Sequence, residues 1–423
     1  MSTTGCPVDH ASLAGEKYHG YEPFEMKDPF ESYARLRSEE PVMFDERTNL
    51  WVVSRFDDVK AVFEDWETFS SENAQAPVRK RGPQATKIMN DGGFTAYSGL
   101  SARTPPTHTR IRGIVQKMFT PRRYKVLEPR IRAKVVSMIE QMLAKGANDA
   151  DIVRDIAYEL PTLTILTLIG EDLDRLDDYK RWSVARAAMT WEDLSDEEQI
   201  PYAHELVDYW QACQNLVSKA HAEGGDNLVA DLVKAQQEGQ EITDHEIASL
   251  CYSLLFAGHE TTTTLISNCM RVLLAHRDQW EQLVENPKKI SGAIDEVLRY
   301  SGSIVAWRRK ALKDTEVGGQ PIKEGDELLL LMGSANRDEE RFTNADQFDI
   351  TRENAREHLS FGYGIHFCLG NMLARLQARI AVEEIARLAP HLELVAPDEI
   401  EFRKNISFRV PLTVPVTWEG SPA

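Results

Sequence analysis

Phe361-Gly-Tyr-Gly-Ile-His-Phe-Cys-Leu-Gly370 places one cysteine between Gly364 and Gly370, at the start of a segment, about Leu369 to Leu388, that reads as the last long helix. Glycines let the backbone turn tightly and approach a flat ligand, because no Cβ stands in the way. Backbone N–H groups at a helix start, together with the helix dipole, stabilise a thiolate. A thiolate is the axial ligand that pushes electron density onto a haem iron and favours O–O cleavage. A lone cysteine is more often a buried structural residue. The glycine pattern around Cys368 reverses that expectation.

The other four cysteines, Cys6, Cys213, Cys251 and Cys269, are widely spaced and form no CxxC pair, which argues against a disulfide framework or a zinc site. The 423-residue chain is 42% hydrophobic and 27% charged, ordinary for a soluble protein with a large core. Its formal net charge of -18 opposes nucleic acid or an anionic membrane as a general partner. The N-terminus lacks a basic stretch followed by an apolar run, and no uninterrupted run of about 18 apolar residues occurs. A soluble, cytoplasmic protein, expected to be a monomer, follows from this reading.

Residues 1–20 lack periodicity and read as a flexible N-terminal arm, with one large domain over 21–423. Pro41 to Phe44 and Leu50 to Val53 read as strands, Phe56 to Asp65 as a helix, and Ser70 to Pro106 as a long binding loop rich in Gly and Pro. Helical periodicity then runs from Thr109 to about Glu238. Thr243-Asp-His-Glu246 has the form of a capping box and opens a helix reaching about His276. Another helix covers about Pro287 to Tyr300, short strands surround Gly318-Gly319, and Leu392 to Trp418 reads as terminal strands. The fold class expected is mainly α with small β-sheets.

On Phe361, Gly362, Gly364, His366, Cys368 and Gly370 the chain resembles the cytochrome P-450 family, and further family motifs follow in order along nearly the whole sequence. The resemblance implies haem b (heme b) with Cys368 as axial iron ligand, and Phe361, Gly362, His366 and Gly370 around it. Leu254-Leu-Phe-Ala-Gly-His-Glu-Thr-Thr-Thr-Thr264 carries a mid-helix glycine that costs about 1 kcal/mol relative to Ala, which suggests a compensating groove beside a ligand. Ser253, Ala257 and Thr261 are spaced by four and share a face. By resemblance, Glu260 and Thr261 are the acid-alcohol pair that relays protons to dioxygen.

His108 and Arg112, four apart on a helix after Pro105-Pro106, project to one side and suit a pair of carboxylates. The resemblance makes those the haem propionates, shared with Arg309 and His366. Glu296 and Arg299 match the family's structural E-x-x-R pair, with Arg352 as candidate third member. Ala345 and Gln347 depart from the proline and arginine frequent there.

The distal wall is expected from Phe94, Tyr97, Phe256, Ala257, Ile304, Val305, Trp307 and Ile406, with Ala187 to Trp191 nearby. Such a wall suits a small or medium hydrophobic substrate, aromatic ones included. No flavin or iron-sulfur motif occurs, so the electrons, originating from NAD(P)H, must come from a partner. The basic stretch Arg103 to Lys134, which holds one acid, Glu128, offers a docking face for an acidic redox protein. The resemblance implies a ferredoxin-like partner or a fused reductase carrying FMN and a two-iron, two-sulfur cluster, this chain then being a haem domain. The reading is a monooxygenase performing hydroxylation or O-dealkylation. A peroxide-driven peroxygenase would not require Glu260 and Thr261, and a gas-binding haem protein would need a signalling segment that the sequence lacks.

Overall fold

The computed structural model describes residues 20–97 and 99–418. The expected N-terminal arm lies, but for its last residue, outside the described residues. Helices dominate: α1 (Phe30–Glu39), α2 (Phe56–Glu64), α3 (Pro83–Asp91), α4 (Thr107–Val115), α5 (Pro121–Lys145), α6 (Leu160–Ile169) and α7 (Leu176–Trp191) come first. There follow α8 (Gln199–Glu223), α9 (Leu228–Gln237), α10 (Asp244–Ala275), α11 (Arg277–Glu285), α12 (Ile290–Ser301), α13 (Met332–Ala335) and α14 (Asn371–Leu388). Among the described residues, no helix is long and apolar enough to cross a membrane.

The main sheet runs β1 (Val42–Asp45), β2 (Leu50–Val53), β8 (Glu327–Leu330), β5 (Trp307–Ala311), β3 (Phe69–Ser70). A small sheet joins β4 (Ala150–Asp151), β10 (Pro415–Thr417) and β9 (Glu393–Leu394), and β6 (Thr315–Val317) pairs with β7 (Gln320–Ile322). The hairpin turns on Gly318 and Gly319, whose φ angles of 54° and 85° suit residues without a Cβ. Two expectations need correction. The 70–106 segment contains α3, which Gly82 and Pro83 start rather than prevent, because proline at the first helical position has no N–H to lose. Residues 392–418 hold only the short β9 and β10, joined by loops and isolated bridges such as Phe402 with Pro411.

Helix α10 is the axis of the molecule. Thr243 Oγ1 accepts from the Glu246 N–H while the Glu246 carboxylate accepts from the Thr243 N–H, closing the capping box. Residues on all sides of α10 are buried, as expected for a helix packed against α6, α8 and α14. At Gly258 the reason for glycine is close packing: a Cβ would lie 2.9 Å from Ile165 Cδ1 of α6.

Behind the cysteine loop, Glu296 and Arg299 of α12 form a two-pronged pair with both contacts at 2.8 Å, and Arg352 Nε reaches Glu296 at 3.1 Å. Arg299 also donates to the carbonyls of Asn336, Ala345 and Gln347, and Arg352 to those of Thr343, Asn344 and Gln347. The departures at Ala345 and Gln347 are harmless here, since both serve through backbone oxygen.

Candidate active site

The loop before α14 is tied by three backbone bonds: Gly362 N–H to Leu359 O, Phe367 N–H to Gly364 O, and Cys368 N–H to Phe361 O at 2.9 Å. Gly362 and Gly364 take φ of 68° and 66°, which side chains rarely adopt, and a Cβ on Gly364 would lie 2.8 Å from Phe63 O. Asn371 Nδ2 donates to Cys368 O and fixes the step into the helix. Cys213, Cys251 and Cys269 are fully buried, whereas Cys368 is half-buried and opens onto the central cavity. Burial pushes the Cys368 thiol up. The N–H groups of Gly370 and Asn371 and the Arg112 and Arg375 guanidiniums oppose this.

One wall of that cavity carries donors without an anionic partner: Arg112, Arg309 and His366 line it, and His108 packs against His366. His108 is 2% exposed, neither of its ring nitrogens has a partner, and its ring lies 4.3 Å from that of His366. Arg112 donates to Phe367 O and Arg309 to Arg308 O. Among the described residues, neither guanidinium has a carboxylate within 4.0 Å. Burial, then neighbouring cations, hold His108 down to about 4 and His366 to about 2, and burial alone holds Arg309 to about 10. Two imidazoles and two guanidiniums crowded without an anion are costly unless a bound group brings one. Together with Cys368 and the bare backbone at Gly370, this donor set fits haem b: a thiolate for the iron, cations for two propionates, and glycines beside the flat ring.

The opposite wall is α10. Ser253, Ala257, Gly258 and Thr261 line the cavity on one face, and Thr261 Oγ1 donates to Ala257 O at 2.7 Å. Glu260 turns elsewhere, into a small adjoining cavity of about 10 Å³ shared with Trp191, Glu192, Arg403 and Asn405. Glu260 Oε1 has no hydrogen-bond partner, and its carboxylate lies 3.9 Å from Arg403 Nη1 and 4.0 Å from His259 Nδ1.

Of the expected pocket residues, Phe256, Ala257, Ile304 and Trp307 line the cavity. Four do not. Phe94, half-buried, packs edge-on against Tyr252 and Trp210 at the margin of the core. Tyr97 is exposed, with the Arg103 guanidinium 3.8 Å over its ring and His245 beside it. Val305 is buried against Gly333, and Ile406 lies in the core that contains Trp191. Leu100, Ser101, Gln75 and Phe408 line the wall instead. Of these, Gln75, Leu100 and Ser101 belong to the 70–106 segment that reads as a binding loop in the sequence, and Phe408 to the terminal segment that reads as strands.

The basic stretch also divides. Arg110 pairs with Glu246, Arg123 with Asp231, Arg132 with Glu383 and Glu384, and Lys134 with Glu159. Lys117, Arg122, Lys125 and Arg130 remain exposed, without an ion pair among the described residues.

A mainly helical fold around a cysteine-bearing loop, an anion-seeking wall and a hydroxyl-lined helix defines a haem-thiolate oxygenase. Residues 206–388 match the family model for cytochrome P450. Putative cytochrome P450 YjiB of Bacillus subtilis is 36% identical over 380 residues, 88% of this chain and 90% of that protein. The solved structure of cytochrome P450 CREJ in complex with (4-ethylphenyl) dihydrogen phosphate aligns at a TM-score of 0.93 and 72% identity, covering 95% of this chain and 100% of that one. An intact type IV self-sufficient cytochrome P450 monooxygenase aligns at 0.91 and 34% identity, over 99% of this chain and 54% of that one. The chain belongs to the cytochrome P450 family, whose members are monooxygenases with a cysteine-ligated haem b.

Proposed function

We propose that this P450 hydroxylates or O-dealkylates the side chain of a small aromatic phosphate ester. The observation that carries this reading is the 72%-identical neighbour bound to (4-ethylphenyl) dihydrogen phosphate. The cavity wall of Phe256, Ile304, Trp307 and Phe408 supports it, being apolar and largely aromatic.

Cys368 would hold the haem iron through its thiolate, Phe361, Gly362, Gly370 and Ala257 would face the flat ring, and His108, Arg112, Arg309 and His366 would bind the propionates. Haem bound there supplies oxygen activation and insertion of one oxygen atom into a C–H bond. With its hydrogen on Ala257 O, Thr261 Oγ1 meets the cavity as an acceptor and holds an O–H donor in place. Glu260 is the proton reservoir behind it, replenished through the water-sized cavity beside Arg403. Electrons from NAD(P)H arrive through a ferredoxin-like protein or a fused FMN and two-iron, two-sulfur reductase, docked on the exposed cations Lys117, Arg122, Lys125 and Arg130.

Titrating the haem-loaded protein with 4-ethylphenyl phosphate should shift its spin state, and turnover with a surrogate redox partner should give a side-chain alcohol with the phosphate retained. Absence of both, with 4-ethylphenol effective instead, would remove the phosphate ester from the reading.

A further inference from the structure

Among the buried guanidiniums outside the propionate cluster that form no ion pair with a described residue are Arg186 and Arg308. Arg186 of α7 is 2% exposed, 4.1 Å over the Tyr252 ring and 5.0 Å over that of Phe256, and no carboxylate among the described residues lies within 4.0 Å. Its hydrogen bonds go to Tyr252 O and, at 2.5 Å, to Gln75 Oε1. Arg308 of β5 is 3% exposed, donates to Ala76 O, and keeps Nε without a partner. Both therefore grip the same short stretch of backbone and side chain, Gln75-Ala76, from behind.

The arrangement fixes which way Gln75 faces. A guanidinium only donates, so the amide oxygen must turn to Arg186 and the NH2 must turn away from it. That NH2 donates to Ser101 Oγ on the cavity wall and keeps a second hydrogen. Ser253 lines the wall too; its Oγ lies buried beneath Gly99 without a partner, and a turn about χ1 brings the hydroxyl to the cavity and to an acceptor there. At this end of the cavity, hydrogen-bond donors stand in front of two guanidiniums that have no ion pair among the described residues and whose field is weakly screened.

We propose that Gln75 and Ser253, backed by Arg186 and Arg308, form the seat of the substrate's phosphate dianion. The proposal rests on the phosphate-ester reading above and adds the residues that recognise it. Ser253 and Thr261 share one face of α10 eight residues apart, about 12 Å along the helix at 1.5 Å per residue. A para-substituted phenyl phosphate is of that length once its hydrogen bonds are included. With phosphate at Ser253, its ring lies beside Phe256 and Trp307 and its alkyl carbon comes to Thr261. The seat thus selects the ester over the free phenol and sets which carbon is presented.

Calorimetric titration of the holoenzyme with 4-ethylphenyl phosphate and 4-ethylphenol tests this without turnover. Gln75→Glu sets a carboxylate against Arg186 and repels a dianion, and Ser253→Ala removes one donor with minimal change of shape. Each should weaken the ester by about tenfold or more, as expected for a hydrogen bond to a charged group, while 4-ethylphenol changes by less than about twofold. If wild type prefers the ester and both variants keep that preference, the seat is wrong and the phosphate-ester reading survives. If both ligands weaken equally, the residues only shape the pocket and the seat is overturned. If wild type shows no preference for the ester, the seat and the substrate reading fall together.

Discussion

Replacing Glu296 with Gln keeps the side chain's shape and removes its charge, at a point where little water can compensate. The carboxylate accepts from Arg299 Nε and Nη2 at 2.8 Å each, from Arg352 Nε at 3.1 Å and from the Asp349 N–H at 3.1 Å. Glu296 and Arg299 are 0% and 1% exposed. A glutamine offers one acceptor oxygen, and its NH2 must face a guanidinium that also only donates. Breaking a buried pair by removing one partner costs about 3–5 kcal/mol, because the remaining charge has no counter-ion. At about 2.1 cal/mol/K per residue, a chain of 423 residues unfolds with about 0.9 kcal/mol/K, so the melting temperature should fall by about 3–6 °C.

The loss should reach the active site by a traceable route. Arg299 Nη1 holds Asn336 O at 2.9 Å, and the Asn336 side chain in turn accepts from the Leu359 N–H at 2.7 Å and donates to Ser360 Oγ at 2.8 Å. Those residues begin the loop that ends at Cys368, so haem retention should fall with stability. Far-UV circular dichroism melts and the ratio of Soret to protein absorbance after purification measure both effects. A variant that melts within about 1 °C of wild type and keeps its full haem complement would refute the reasoning that this charge anchors the loop.

Thr261→Ala should retain haem yet release a several-fold larger share of its reducing equivalents as peroxide, because the acceptor at Oγ1 is gone; unchanged coupling would take Thr261 out of the proton path. Charge reversal at Arg122 and Lys125 should slow reduction by the redox partner about tenfold in low salt and little in high salt. Stopped-flow rates that are indifferent to the reversal would leave that face without a docking role. Burial, followed by Arg375, holds buried His358 down to about 3. The unfolded chain therefore takes up a proton first, near its ordinary value of about 6.5. The stabilisation is whole above that pH and is lost on acidification, by about 2 kcal/mol at pH 5. Urea midpoints at pH 7.5 and 5.0 should differ accordingly, and His358→Gln should shrink the difference; equal pH dependence in both proteins would exclude His358 as a cause.

What the sequence disclosed and what it hid divide along a physical line. Gly364 could be read because a positive φ is a local demand, and Thr243 with Glu246 because a capping box spans only four residues. Ser253, Ala257 and Thr261 could be placed together because helical spacing fixes which residues share a face. By contrast, whether Phe94 or Phe256 meets the substrate depends on what packs beside each. Trp210 and Tyr252, from two separate helices, hold Phe94 against the core. Ile304 and Val305 are neighbours, yet the first faces the cavity and the second Gly333, and only the surrounding backbone decides that alternation. The same holds for charge. The run from Arg103 to Lys134 looked like one basic surface, but acids far along the chain, Asp231, Glu246, Glu383 and Glu384, neutralise part of it. Conversely, Arg186 carries no sequence mark at all and Arg308 only its place beside Arg309, and burial without an ion pair is what sets both apart. A local motif therefore names the chemistry of this enzyme, while the choice of substrate rests on residues such as Gln75 and Arg186 that meet only when the chain is folded.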